Sequence, residues 1–207
     1  MESRRDRHPY DPFVPPGARR IIIGSFPPRR FCGPEKALFP EDVEFYYGSR
    51  DNGFWPLVGE LSGTDFPRNQ DSRSVSVRQD FLRTRALAMT DIVESCTRIN
   101  GLSSDRDLRD IGTRPLGRLL EAYPEIHTLL FTSTFVRRLC QGELEARVHP
   151  DQENPRQGVL VPGAKPEKSG REYRYVELYS PSPSALRGLG RNGAEKRRDQ
   201  YARVFGF

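Results

Sequence analysis

Two short stretches near opposite ends of the chain carry the residue types best suited to chemistry. The first is GSFPP, residues 24–28, which follows the apolar run 21–23; the second is SPSPSALRG, residues 180–188, which follows the apolar-rich stretch 175–178. Glycine lets a backbone approach a ligand closely, and proline stiffens a turn. Because ligands of open α/β sheets bind at the carboxyl ends of strands, the two turns predict one site built from both ends of the chain.

The GSFPP turn suits the stabilisation of negative charge. Backbone N–H groups in a rigid turn can be aimed at an anion that develops during a reaction. The turn contains neither GxGxxG nor GK[ST], so a dinucleotide-binding or Walker phosphate loop is excluded. Taken alone, the motif is equally typical of an ordinary strand-to-loop turn.

A third stretch, YYGSRDNGFW at residues 46–55, adds an amide and aromatic rings. The amide of Asn52 can both donate and accept, so it could hold a water molecule or contact a base edge. Asn52 also precedes Gly53 and a helical run, and by spacing alone it is better explained as a helix N-cap. Tyr47 lies in a loop and could form a stacking wall for a flat ring, whereas Phe54 has the position of a core residue.

The C-terminal stretch predicts a stiff loop that could contact a nucleic acid. Its alternating serines, Ser180, Ser182 and Ser184, offer hydroxyl and N–H groups to phosphates. Leu186 or Arg187, at the tip of the loop, could insert into a duplex. By itself the stretch is better explained as an ordinary rigid loop that opens the final helix.

Composition allows a polyanionic partner. The chain has 207 residues, a formal net charge of +5 and a sequence pI of about 9.3. Lysine supplies only Lys36, Lys165, Lys168 and Lys196 of the 33 basic residues, so arginine dominates. Arginine binds phosphate bidentately and stacks on bases, although a GC-rich genome explains the same bias equally well.

Several functional classes are excluded by the sequence. No apolar run is long enough to cross a bilayer, and the N-terminus has no apolar signal region. The chain has three cysteines, Cys32, Cys96 and Cys140, which lie far apart and form no CxxC pair. This argues against a disulfide framework, a zinc ribbon or a four-cysteine cluster. We therefore expect no metal and no cofactor, and a reducing bacterial cytosol or nucleoid as the location.

Strand-like and helix-like segments alternate along the chain. Strands are predicted at 19–24, 87–93, 127–134 and 171–180, helices at 53–62, 78–88, 111–124, 135–144 and 192–207, a helix start at 103–108, an exposed loop at 63–77, and a long surface loop or hairpin at 149–172. This order predicts an α/β protein, a three-layer α/β/α sandwich around a mostly parallel four-stranded sheet. We expect a single domain over 19–207, preceded by a solvated basic arm over 1–18.

Taken together, the motifs resemble the uracil-DNA glycosylase superfamily over roughly residues 20–190. GSFPP is similar to the superfamily's G-x-x-P turn, and SPSPSALRG to its H-P-S-P-like second motif. YYGSRDNGFW resembles the N-x-F-W stretch of the mismatch-specific and hypoxanthine-type branches. MTDIVESCTRINGLSSDRDL, residues 89–108, resembles the hypoxanthine-type D-V-x-x-S-C stretch that leads into S-x-D.

The resemblance implies particular catalytic residues. Ser25 and Phe26 stand where the best-known uracil enzymes carry a water-activating Asp or Asn, and Ser180 stands where many relatives carry a base-stabilising His. The hypoxanthine-type branch shares the first departure and uses the Asn of N-x-F-W, which makes Asn52 the implied catalytic residue. Asp51 and Asp91 could assist, although a structural role explains both of them better.

The implied activity is hydrolysis of the N-glycosidic bond of a flipped-out hypoxanthine or uracil in DNA by a monomeric, monofunctional enzyme. The implied site comprises catalytic Asn52 and Ser25; substrate-binding Gly24, Phe26, Pro27, Tyr47, Phe54 and Asp91; and DNA-binding Ser180, Ser182, Ser184, Leu186 and Arg187.

Two other interpretations stay open. The missing Asp or Asn and the missing His favour a non-catalytic nucleic-acid-binding or nucleotide-sensing module on the same fold. Abasic product would distinguish the enzyme from this module. An unrelated α/β hydrolase is a weaker hypothesis, because the chain has no G-x-S-x-G elbow.

Overall fold

The computed structural model describes residues 5–33, 36–99, 104–163 and 171–207. The strands are β1 Asp6–Arg7, β2 Arg20–Gly24, β3 Leu87–Asp91, β4 Val93–Arg98, β5 Leu108–Thr113, β6 Thr128–Phe131, β7 Arg147–Pro150, β8 Gln157–Val161 and β9 Tyr173–Glu177. The α-helices are α1 Phe54–Ser62, α2 Ser72–Thr84, α3 Leu116–Ala122, α4 Thr134–Glu143 and α5 Gly193–Phe205. Short 3-10 helices cover Arg29–Phe31, Asp105–Asp107 and Pro183–Leu189.

The main sheet has six strands in the spatial order β3-β2-β6-β9-β8-β7. Its first four strands are parallel neighbours, and they are the four that the sequence predicts. The prediction of a four-stranded sheet was nevertheless wrong, because the antiparallel hairpin β7–β8 extends it beyond β9. The hairpin lies largely within 149–172, for which the sequence predicted a long surface loop or hairpin. Its addition to the main sheet was not predicted, because Leu160 is the only buried residue of β7 and β8.

Helices cover both faces of the sheet. Ile21 and Ile23 of β2 pack into a core that includes residues of α3 and α4, whereas Ile22 packs into a second core that includes residues of α1, α2 and α5. All three isoleucines are fully buried. A strand covered on both faces needs a continuous β-branched run, and this explains why the sequence pattern located β2 correctly.

A second, three-stranded sheet has the order β1-β4-β5, and both of its pairs are antiparallel. The expectation of a solvated N-terminal arm is corrected here: from Arg5 onward the segment is described, Asp6 is 4% exposed, and Phe13 pairs with Met89 of β3. Backbone pairing and burial therefore attach this segment to the domain.

Local boundaries also differ from those predicted by the sequence. Helix α2 begins at Ser72, inside the segment expected to be loop, because the Asp71 side chain accepts from the N–H of Ser74 and caps the helix. The predicted helix start at 103–108 is a 3-10 turn that leads into β5.

Neither a membrane-spanning helix nor a metal-binding cluster occurs in the described part of the chain. No helix there combines the length and the apolar character needed to cross a bilayer. No group of three or more His, Cys, Asp or Glu side chains there is placed to hold a metal ion. All three cysteines are buried and free of disulfides.

Candidate active site

The carboxyl ends of the four parallel strands meet at one edge of the main sheet. Gly24 is in register with Asp91, and Phe131 is in register with Glu177. The N–H of Thr132 donates to the carbonyl of Ile23, so the residue after β6 lies beside the end of β2. This is the edge at which open α/β sheets bind ligands.

Gly24 lies beneath two polar side chains. A Cβ atom at this position would overlap both Oδ1 of Asp91 and Oη of Tyr47. Glycine is therefore required at position 24 by the close approach of these groups to the backbone. The contact places Tyr47 and Asp91, both expected in the site, together over the start of the GSFPP turn.

Tyr47 is held rigidly in this place. Its hydroxyl donates to Oγ1 of Thr132 at 3.1 Å, and its ring stacks on buried Phe54 with centroids 4.7 Å apart. Its φ of 56° lies in the left-handed region, which is uncommon for aromatic residues and concentrates at functional sites. Burial raises the pKa of Tyr47 well above its ordinary value, and the charge of Asp91 raises it further. The hydroxyl of Tyr47 therefore stays protonated. Phe54 thus supports the ring of Tyr47 from the core.

The GSFPP turn is anchored by β4. The carbonyl of Ser25 accepts from the N–H of Val93, and Nη2 of Arg98 donates to the carbonyl of Pro27 at 2.6 Å. The Arg98 guanidinium also lies 5.0 Å from the ring centroid of Phe26. Among the described residues, no backbone carbonyl accepts from the N–H groups of Ser25 and Phe26. The turn therefore offers two backbone donors on a fixed frame.

Asn52 lies where the N-terminal and C-terminal motifs meet. Its Oδ1 accepts from the N–H of Phe54 at 2.8 Å and so closes a turn just before α1. The N-cap of α1 is Gly53, so the N-cap interpretation of Asn52 was wrong. The next residue, Gly53, packs against the C-terminal loop: a Cβ there would lie 2.6 Å from the carbonyl oxygen of Pro181. Since Tyr47 stacks on Phe54 and touches Gly24, the contacts run continuously from one motif to the other.

The Ser/Pro loop is held by α5. Nη1 of Arg197 donates to the carbonyls of Ser180 and Ser182, at 3.2 and 3.4 Å. The hydroxyls of Ser182 and Ser184 are 2.8 Å apart. The loop then continues as the 3-10 helix Pro183–Leu189, on which Leu186 is half-buried and Arg187 is exposed.

Two acid-base side chains at this edge were missed by the sequence analysis. His8 has a fully buried side chain whose Nε2 lies 2.9 Å from Oδ2 of Asp91. Burial raises the pKa of Asp105 above its ordinary value, and the nearby Ser25 side chain partly offsets this rise. Asp105 belongs to the S-x-D segment noted in the sequence, and this motif could have identified it as a site residue. His8 lies in a segment that was expected to be solvated, and no sequence motif pointed to it.

A cavity of about 230 Å³ lies beside Tyr47 and Asn52. Its wall is formed by residues of the 47–52 loop, by α1, by the 64–68 segment and by Arg78. The described residues of the GSFPP turn and the Ser/Pro loop do not line it. Arg78 is 2% exposed, donates to the carbonyl of Pro67, and lies 5.4 Å from the ring centroid of Trp55. Burial lowers the pKa of Arg78 to about 10, so it remains a cation at neutral pH.

Comparison with known proteins gives a fold likeness. No protein-family model and no curated relative matches the chain. Among solved structures, the chain is similar to the solution NMR structure of "a putative Uracil DNA glycosylase from Methanosarcina acetivorans". The TM-score is 0.57 at 17% sequence identity, and the match covers 98% of this chain and 99% of the other. The chain therefore shares its overall fold with that protein over nearly its full length.

The contact between Gly53 and Pro181 can be tested by a single methyl group. Gly53→Ala should separate the two motif loops, because the added Cβ would lie within 2.6 Å of the Pro181 carbonyl oxygen. We expect a destabilisation of about 1–3 kcal/mol, the usual cost of overpacking, measured by urea unfolding. Gly142→Ala in α4 is the matched control: its Cβ meets nothing within 4 Å, so it should leave stability unchanged or increase it. Equal stability of the two variants would contradict the contact.

Proposed function

We propose that the protein is a DNA glycosylase that hydrolyses the N-glycosidic bond of a flipped-out deaminated base, hypoxanthine or uracil. The observation that carries this proposal is the meeting of three motifs at one sheet edge. The GSFPP turn, the Tyr47–Asn52 loop and the Ser/Pro loop come from distant parts of the chain and form one continuous set of contacts. The shared fold with the Methanosarcina acetivorans protein supports the same conclusion.

The proposed chemistry uses the two N–H groups of the GSFPP turn. As the bond between C1′ and the base nitrogen breaks, its electron pair moves onto the base and negative charge develops on the base carbonyl. The N–H groups of Ser25 and Phe26 stabilise this charge, and one such donor is typically worth about 3–4 kcal/mol. The amide of Asn52 orients the base or water through its NH₂ group, since its Oδ1 is engaged by Phe54.

The base must leave the helical stack before it can react. In this proposal, the hydroxyl and N–H groups of Ser180, Ser182 and Ser184 bind phosphates beside the damaged nucleotide, and exposed Arg187 adds charge. Leu186 occupies the space that the base vacates. Tyr47 and Phe26 provide ring faces for the extruded base, while Gly24 and Pro27 shape the backbone beneath it and Asp91 lines its edge.

The test is a panel of duplex oligonucleotides that each contain one uracil, hypoxanthine, xanthine, mismatched thymine or modified pyrimidine. We expect alkali-labile abasic sites from the hypoxanthine or uracil duplex, and binding that weakens steeply with salt, because phosphate contacts release counterions. Tight binding without abasic product across the panel would contradict the enzyme and favour the non-catalytic module, for which Ser180 in place of a histidine is the supporting feature.

A further inference from the structure

The cavity beside the 47–52 loop has a buried arginine without an acidic partner in its wall. Arg78 of α2 is 2% exposed and lines this cavity. Within the described part of the chain, no carboxylate forms an ion pair or a hydrogen bond with Arg78. Arginine is almost never fully buried unless a partner of opposite charge accompanies it. The buried cation therefore lacks the anion that usually stabilises such a group.

The contacts of Arg78 fix its position but leave part of its guanidinium group unused. Nη1 donates to the carbonyls of Pro67 and Ser74, and the group lies 5.4 Å from the ring centroid of Trp55 and 5.7 Å from that of Phe66. These dipoles and rings carry no net negative charge. Nε is buried without a hydrogen-bond partner, and Nη2 donates to no described residue. Nε and Nη2 form the edge of a guanidinium group that can bind two oxygens of one oxyanion.

A second arginine lines the same cavity. Arg68 is exposed, and its Nη2 donates to the carbonyl of Arg50 rather than to any described carboxylate. Burial lowers the pKa of Arg78 to about 10, and the charge of Arg68 lowers it further, yet Arg78 stays a cation at neutral pH. Two like charges on one cavity repel each other, and an anion bound between them would replace this repulsion by attraction.

The acidic side chains of the cavity wall do not neutralise Arg78. Glu60 and Asp65 also line the cavity, but both are exposed to solvent, which screens their charges. Glu60 already lies 3.4 Å from the guanidinium of Arg198 on α5. The buried charge of the wall is therefore positive, whereas its exposed part carries charges of both signs.

The size of the cavity suits a small anionic group. Its volume of about 230 Å³ is several times the roughly 30 Å³ that one water molecule occupies in the liquid. It is smaller than the roughly 300–1,000 Å³ of sites that enclose drug-sized molecules. A tetrahedral oxyanion fits within these limits.

We propose that this cavity binds a phosphate group, with Arg78 and Arg68 as its cationic ligands. Phosphate offers several acceptor oxygens and up to two negative charges, which match two guanidinium groups better than a singly charged carboxylate does. The group belongs either to the backbone of DNA bound at the candidate active site, since Tyr47 and Asn52 line the cavity as well, or to a free nucleotide. Binding of free phosphate here does not depend on base excision and so goes beyond the proposed function.

The first experiment titrates the protein with inorganic phosphate by calorimetry at pH 7, with chloride replaced so that the ionic strength stays constant. We expect saturable binding to the wild type. Arg68→Gln should bind about tenfold more weakly, because it loses one charge-assisted contact. Arg78→Lys should lose at least as much, because lysine lacks the two-donor edge. The matched control is Arg73→Gln, an exposed arginine of α2 outside the cavity wall, which should bind like the wild type.

A second experiment distinguishes the two sources of phosphate. If the site takes a DNA backbone phosphate, inorganic phosphate at constant ionic strength should displace a fluorescent undamaged duplex. Arg68→Gln should then weaken duplex binding more than Arg73→Gln does. If the site takes a free nucleotide, thymidine 5′-monophosphate should bind more tightly than inorganic phosphate, while thymidine should not bind. Duplex binding should then be the same in Arg68→Gln and Arg73→Gln. Either result supports a phosphate site.

Two results would overturn the phosphate site. One is the absence of saturable phosphate binding to the wild type. The other is binding of equal strength in the wild type and in Arg68→Gln, which would place the phosphate elsewhere. Arg68 is exposed, so this variant decides the matter even if Arg78→Lys does not fold. In both cases Arg78 would be a structural cation held by carbonyls and rings, and the glycosylase proposal would be unaffected.

Discussion

Asn52→Ala should reduce base release from the cleaved duplex by at least about a hundredfold, the scale of losing one preorganised polar group in an active site. The reason is its position between the GSFPP turn and the Ser/Pro loop, with Oδ1 committed to Phe54 and the NH₂ group left for substrate. The measurement is a single-turnover rate at saturating enzyme, so that weaker binding does not contribute.

The substitution also removes a structural hydrogen bond, and the control must account for this. Loss of one such hydrogen bond costs about 1 kcal/mol. Asn154→Ala removes the same type of bond, in which the N–H of Arg156 donates to an asparagine Oδ1 two residues earlier, in the β7–β8 hairpin. Both variants should therefore lose similar stability, but only Asn52→Ala should lose activity. An Asn52→Ala enzyme with near-wild-type rates would leave Asn52 with only its structural hydrogen bond to Phe54.

Arg98→Ala should destabilise the protein by about 3–5 kcal/mol, because it leaves Asp6 buried without its partner. The two side chains are 2.8 Å apart and both are 3% exposed. The substitution also releases the carbonyl of Pro27, so activity should fall through loosening of the GSFPP turn. The free energy of unfolding in urea measures the first effect, and the single-turnover rate measures the second.

An exposed ion pair gives the matched control. Arg83→Ala breaks a bond to Asp80 of similar length, 2.7 Å, but these side chains are 47% and 68% exposed. Exposed pairs contribute at most about 1 kcal/mol, so Arg83→Ala should be nearly neutral. The double variant Asp6→Asn/Arg98→Met removes both buried charges and should recover part of the stability. A loss below about 1 kcal/mol for Arg98→Ala would show that β1 is not needed to hold the turn.

The sequence located the four parallel strands because each has a local signature. A strand covered on both faces requires a continuous apolar run, and the run 21–23 is the clearest case. Strands β1, β4 and β5 were missed. Buried and exposed residues do not alternate regularly along them, as Val93–Arg98 shows, so their hydrophobic pattern lacks the period typical of a strand. Their pairing is decided by partners distant in the chain.

For the candidate site, too, some features could be predicted from the sequence and others depend on the tertiary structure. Residue types and turn chemistry alone indicated the candidate stretches: a glycine that a ligand could approach, a rigid turn with backbone N–H groups, an amide before a helix, and a Ser/Pro loop. Only the tertiary structure decided that these stretches meet and that His8 contacts Asp91. The backbone conformation of a turn depends mainly on its own residues and their neighbours in sequence. The ionisation of a carboxylate depends instead on burial and on charges that folding brings near it.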